Sequence, residues 1–138
     1  MMHLPSHYLI KDLSKKTQLS ADTIRFYEKK RLLQPSFRAE NNYRYYDDHA
    51  LKRLIFIKRC RALSMSLKEI ETLIALEKQP KLDCHIVNNL IDEHLNQVEV
   101  KILELQKFQV QLKQLRQSCS TQTTIDDCQI LKQLEVDE

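Results

Sequence analysis

The sequence predicts a mainly α-helical protein, with a run of short helices and one small hairpin followed by a single long helix that needs a partner. Three observations predict it. Charged residues make up 30% of the 138 residues and aromatics only 7%, a mix that favours helices with solvated faces over a β-sandwich. Glycine is absent, so a turn needing positive φ falls to Asn, Asp or Ser. Residues 84–118 contain neither Pro nor Gly and repeat apolar residues in steps of three and four.

In the front half, Leu9, Ile10 and Leu13 share one face of a first helix ending at Thr17. Ser20 reads as the N-cap of a second helix over Ala21 to Lys30, with Thr23 at N3 and with Ile24, Phe26 and Tyr27 along it. The tight turn Gln18-Leu19-Ser20 gives the pair a helix-turn-helix spacing. Pro35 ends the helical pattern after Leu32-Leu33 and opens an extended stretch from Ser36 to Tyr46. That stretch interleaves Arg38, Asn41, Asn42, Tyr43, Arg44, Tyr45 and Tyr46, as a DNA-contacting wing would. Arg and Tyr donate to phosphate oxygens while rings pack on the sugar backbone. Some of these tyrosines serve the core instead. Asn41-Asn42 is expected to supply the left-handed turn.

Asp48 is expected to cap the next helix, through Leu51, Leu54, Ile55, Ile57 and Lys58 to Arg61. Ser66 and Glu69 form a capping box that opens Leu67 to Leu76, and Lys78-Gln79-Pro80 closes that helix. Lys78-Gln79-Pro80 also marks the boundary between the short helices with their hairpin and the long helix with the polar loop after it.

Charge divides along the same line. Residues 1–78 hold 16 Lys and Arg against 9 Asp and Glu, net +7, while residues 79–138 hold 6 against 10, net −4. The front half therefore suits a polyanion, although a solvated surface accounts for the charge equally well. The N-terminus lacks the basic lead and apolar core of a signal peptide, and no apolar stretch approaches the roughly 20 residues of a membrane span. A cytoplasmic protein without a membrane partner is expected. No glycine-rich phosphate loop or dinucleotide fingerprint exists, and no nucleophile–base or carboxylate pair stands out, so the chain does not read as an enzyme.

The long helix carries Val87, Ile91, Leu95, Val98, Ile102, Leu105, Phe108, Leu112 and Leu115 as a heptad-like seam. One helix cannot bury its own stripe, so a dimer is the economical answer; packing along its own domain is the alternative. Cys84 sits at the helix start, Cys119 just past its end and Cys128 nine residues later. A helix of that length separates Cys84 from Cys119 by about 50 Å. In an antiparallel dimer the start of one helix lies beside the end of the other. Cys84 then approaches Cys119 and Cys128 of the partner subunit, and symmetry makes two equivalent three-thiolate sites. Thiolates prefer soft metals: a trigonal Pb(II) or Hg(II), or a Cd(II) or Zn(II) with a fourth ligand. Buried structural cysteines or a redox pair are the other readings. Cys60, between Arg59 and Arg61 in a helix, reads as packing. His85 and His94 read as solvated or packed before they read as ligands.

The sequence resembles the MerR family of bacterial activators over nearly its whole length. Thr23-Ile24-Arg25-Phe26-Tyr27-Glu28, Leu32-Leu33, Arg38 with Asn42-Tyr43-Arg44-Tyr45-Tyr46, and Met65-Ser66-Leu67-Lys68-Glu69-Ile70 carry the resemblance. Asp83-Cys84, Leu90-Ile91-Asp92-Glu93-His94 and Asp127-Cys128-Gln129-Ile130-Leu131 are most similar to the cadmium/lead-responsive branch. The resemblance implies a winged helix-turn-helix DNA-binding domain with connecting helices over 1–80, an antiparallel dimerisation helix over 81–118, and a metal-binding loop with a short C-terminal helix over 119–138, the metal ligands being Cys84, Cys119 and Cys128. It implies DNA contacts from Thr23, Arg25, Tyr27, Arg38, Asn42, Tyr43, Arg44 and Arg61. It further implies a homodimer on double-stranded promoter DNA, acting on RNA polymerase by distorting the spacer when Pb(II) or Cd(II) binds. A mercury(II) or thiol-redox sensor of the same fold is the alternative, and a coiled-coil adaptor without a DNA role would leave the basic wing unexplained. Arg31 stands where the family has Gly before Leu-Leu, and Asn41 where Gly precedes the wing's Asn-Tyr-Arg. Asn adopts the left-handed conformation readily, Arg at some cost.

Overall fold

Short polar side chains cap three of the helices, two of them where the sequence predicts. In the computed structural model, which describes residues 7–35, 37–41, 43–119 and 123–137, Ser20 accepts from the Thr23 amide and opens α2 (Ala21–Lys29) after α1 (Ile10–Thr17). Two-residue strands follow, β1 (Phe37–Arg38) and β2 (Arg44–Tyr45), paired antiparallel with Phe37 opposite Tyr45 and Arg38 opposite Arg44. Next come α3 (Asp48–Ala62) and α4 (Leu67–Leu76), the latter opened by the Ser66–Glu69 capping box. The long helix α5 (His85–Gln117) is followed by a 3₁₀ turn (Ile125–Asp127) and α6 (Gln129–Leu134).

The chain divides into two compact units, Met1–Val87 and Asn88–Glu138. The first is built around the fully buried Leu13, Ile24, Tyr46, Leu54, Ile57 and Ile70, contributed by α1, α2, the end of the wing, α3 and α4. Cys60 belongs to this core, and burial pushes its thiol pKa up, so it is inert packing. The wing is also held from outside the hairpin: Tyr8 and Tyr46 exchange backbone hydrogen bonds of 2.7 and 2.8 Å. In the second unit no described residue is buried. On α5 the seam residues Leu105 and Leu112 stay 62% and 64% exposed, a stripe that a single chain does not cover. Val100, Leu103 and Val110 are also exposed but lie on another face of the helix, and the seam pattern did not anticipate them.

Two local expectations are corrected. The cap of α3 is Asp47, whose carboxylate accepts from the Ala50 amide at 3.0 Å. Asp48 begins the helix instead, its carboxylate taken by the Tyr8 hydroxyl at 2.7 Å. Nor is Asn41 left-handed: its side-chain oxygen accepts from the Tyr43 amide at 3.1 Å, an Asx turn. Asn42 and Ser36 lie outside the described residues. The left-handed positions among the described residues are Gln18, Arg31 and Ser64, with φ of 61, 62 and 67°.

Arg31 therefore occupies the backbone conformation its place before Leu32-Leu33 predicts, with a Cβ that glycine would not carry. Arg31→Gly removes that clash at the expense of a floppier unfolded chain, so a net gain of about 0.5–1 kcal/mol is expected. Urea denaturation reads it as a raised midpoint at constant slope; a lowered midpoint would show that the Arg31 side chain contributes more than its backbone costs.

Candidate functional site

The first unit gathers cations around one cleft. On α2, Arg25 and Lys29 are one turn apart on the same face. Across from them the wing brings Arg38 on β1 and Arg44 on β2, so that Arg25, Lys29, Arg38 and Arg44 line a cleft with Glu28 and Pro35. A second hollow beside it is lined by Lys11, Arg25, Tyr43 and Arg44 over Leu9, Ile10 and Tyr46. Cations converging on a concave surface focus a positive potential there, the field that a phosphate backbone seeks.

Each charged side chain is held differently. Arg25 pairs with Asp22 at 3.1 Å, both well exposed, so water screens the pair and little energy opposes its exchange for another anion. Arg44 is clamped on Glu28, whose side chain is only 11% exposed. The other oxygen of that carboxylate accepts from the Tyr46 hydroxyl at 2.9 Å. Tyr46 is pushed up to about 12, first by burial and then by the hydrogen bond to Glu28 and its charge, so it remains a donor throughout the physiological range. Thr23 is partly buried, its hydroxyl accepting from Ser20 at 2.8 Å. Arg61, at the end of α3, donates to the Met65 carbonyl at 2.8 Å and so braces the α3–α4 turn.

The thiols form a second grouping. Cys84 is exposed and immediately precedes α5, whose first amide, that of His85, donates to Asp83 at 2.9 Å. Cys119 and Cys128, both in the second unit, meet through a side-chain hydrogen bond. Cys128 sits at the N-cap of α6. The Leu131 amide does most to draw its pKa down, with help from the Ile130 amide, the Cys119 thiol and the Lys132 charge against partial desolvation. A lowered thiol pKa favours the thiolate, the form that attacks oxidants and binds metals. Among the described residues of one chain, no three His, Cys, Asp or Glu side chains are gathered tightly enough to hold a metal ion.

Comparison with known proteins matches residues 8–77 to the MerR helix-turn-helix family of regulatory proteins and residues 51–115 to the MerR DNA-binding family. The HTH-type transcriptional regulator ZntR of Escherichia coli (strain K12) is 35% identical over 130 residues, 93% of this chain and 92% of that protein. The chain belongs to the MerR family. Among solved structures, the transcription regulator PbrR691 from Ralstonia metallidurans CH34 in complex with lead(II) superposes with a TM-score of 0.78 at 44% identity, covering 91% of this chain and 97% of that one. HiNmlR, a MerR family regulator lacking the sensor domain and bound to promoter DNA, superposes with a TM-score of 0.56 at 28% identity, over 75% of this chain and 78% of that one.

For a MerR regulator the expected DNA residues divide in three. Arg25, Arg38, Tyr43 and Arg44 come together around the two hollows, with Tyr43 61% exposed. Tyr27 is only 7% exposed and its ring belongs to the core, while Thr23 and Arg61 are engaged in local bonds beside the face. Asn42 lies outside the described residues. Sequence reasoning missed Lys29 and Lys11, which line the same hollows. The spacing of Lys29 four residues after Arg25 was the available signal. Of the expected thiol ligands, Cys119 and Cys128 are brought together within one chain. His94 is half-buried and His85 exposed.

Proposed function

We propose that this MerR regulator binds promoter DNA as a homodimer through α2 and the wing, and activates transcription when a thiol-seeking metal ion, Pb(II) or Cd(II) first, binds Cys84 of one protomer with Cys119 and Cys128 of the partner subunit. The observation that carries the reading is the paired thiols of Cys119 and Cys128, one of them eased toward the thiolate, in a chain whose third candidate ligand precedes a 33-residue helix that the pair follows. The donors fit such an ion: sulfur ligands alone select soft metals over Mg(II) or Ca(II). The similarity to the lead-bound PbrR691 supports metal responsiveness. The four cations around the α2–wing cleft support DNA binding, and the open seam of α5 supports the dimer.

In this reading the ion supplies a link between the two chains, and the chain's own parts turn that link into a signal. Arg25, Lys29, Arg38 and Arg44 hold the phosphate backbone on each half-site. The α5 seam keeps the two DNA-binding units paired. Distorting the promoter spacer costs on the order of 1–6 kcal/mol. An ion shifts the dimer toward the distorting state only by its preference for that state, and thiolate–metal energies of roughly 10–16 kcal/mol leave ample room for it. No described helix is long and apolar enough to cross a membrane, in keeping with a cytoplasmic regulator. In transcription reconstituted with RNA polymerase on the cognate promoter, Pb(II) or Cd(II) is expected to raise transcript yield. Induction by Hg(II) with silence toward Pb(II) and Cd(II), or by oxidant without metal, would replace the reading with one of its alternatives.

A further inference from the structure

We propose that Glu28 is a positioning residue for DNA binding: its carboxylate ties the wing to α2 through Arg44 and Tyr46 and so sets the pose in which Arg44 meets a phosphate. The inference rests on the DNA-binding reading of this face. Glu28 is the one carboxylate among the residues lining the cleft, in the company of four cations. An anion facing a surface that receives phosphates repels them, so electrostatics alone argues against its presence. Its geometry supplies a reason. One oxygen takes Arg44, on β2, and the other takes Tyr46, just beyond β2, so a single side chain of α2 grips the wing at two points. Two-residue strands cannot hold a hairpin in place by themselves, and the backbone bridge from Tyr8 meets the wing at Tyr46, beyond β2, rather than at Arg44.

The clamp also leaves Arg44 able to work. It engages Glu28 through Nη1, and its side chain is still 37% exposed. A guanidinium carries five donors in a rigid fork, so one edge can rest on Glu28 while another faces the backbone of the DNA. Holding a long side chain in its bound pose lowers the entropy lost on binding. The screened Arg25–Asp22 pair offers no comparable preorganisation.

The opposed signs of the two effects make the test decisive. Affinity for a random-sequence DNA duplex, followed by anisotropy across a salt series, reads backbone contacts without requiring the operator. Removing a negative charge by Glu28→Gln would tighten binding if charge were all that mattered. Positioning predicts weaker binding, by about tenfold. Arg44→Ala should weaken binding and reduce the salt slope by about one unit, and in that background Glu28→Gln should cause no further loss. Binding by Glu28→Gln as tight as the parent or tighter, with Arg44→Ala still weak, overturns the positioning role and leaves the DNA face intact. Unchanged affinity and slope in Arg44→Ala overturns both. Should Glu28→Gln lose its helical signal, Glu28→Asp retains the charge but withdraws it by one methylene. Weaker binding is again expected there, and parental affinity would overturn the proposal.

Discussion

A mixed dimer in which one protomer lacks Cys84 and the other lacks both Cys119 and Cys128 is expected to bind one Pb(II) or Cd(II) ion tightly, with strong sulfur-to-metal absorption. The expectation follows from symmetry. If each site takes Cys84 from one chain and the thiol pair from the other, the mixed dimer concentrates all the damage in one site and leaves the second whole. The two parent homodimers have damaged sites only and should bind no ion tightly. If each site lay within one chain, both sites of the mixed dimer would be broken and tight binding would vanish. Differently tagged protomers allow the mixed species to be isolated. The contrast is close to all-or-none, because thiolate–metal binding contributes roughly 10–16 kcal/mol and losing one thiolate of three removes a large share of it. Cys60→Ser should leave binding unchanged, since Cys60 lies in the core of the first unit.

Combining Val98→Asp with Ile102→Asp is expected to convert the dimer to monomers, visible as a halved mass by sedimentation equilibrium. In one chain Ile102 is 49% exposed and Val98 is half-buried, both on the seam face of α5. In the monomer these aspartates are hydrated at little cost. Across a closed seam each places a carboxylate in apolar surroundings, and an unpaired buried charge costs several kcal/mol. The effect is therefore on association rather than on the helix, and the helical circular dichroism of α5 should survive. A fully dimeric double variant would remove the seam assignment and return the apolar stripe to packing within its own chain.

What could be read from the sequence alone was what local chemistry decides. Ser20 with Thr23 and Ser66 with Glu69 start α2 and α4 where their capping patterns predict, because a cap is satisfied by residues within one turn of itself. The unbroken α5, the two short strands around Asn41 and the spacing of Cys84, Cys119 and Cys128 were equally legible, since periodicity and spacing are properties of the chain. Only the tertiary structure decided the rest. Asp47 and Asp48 are equivalent as caps in sequence; Tyr8, forty residues away, engages Asp48, and Asp47 caps α3. Ser64 is left-handed as a glycine-free chain predicts, yet Gln18 and Arg31 are left-handed too where propensity favours Asn or Asp, because packing on either side of a turn outweighs a preference of about 1–2 kcal/mol. The carboxylate of Glu28 meets Arg44 and Tyr46, 16 and 18 residues on, and the Cys119 thiol meets Cys128. Neither pairing has a sequence signature, since each depends on where a loop or wing folds back, which is fixed by the contacts of the whole unit.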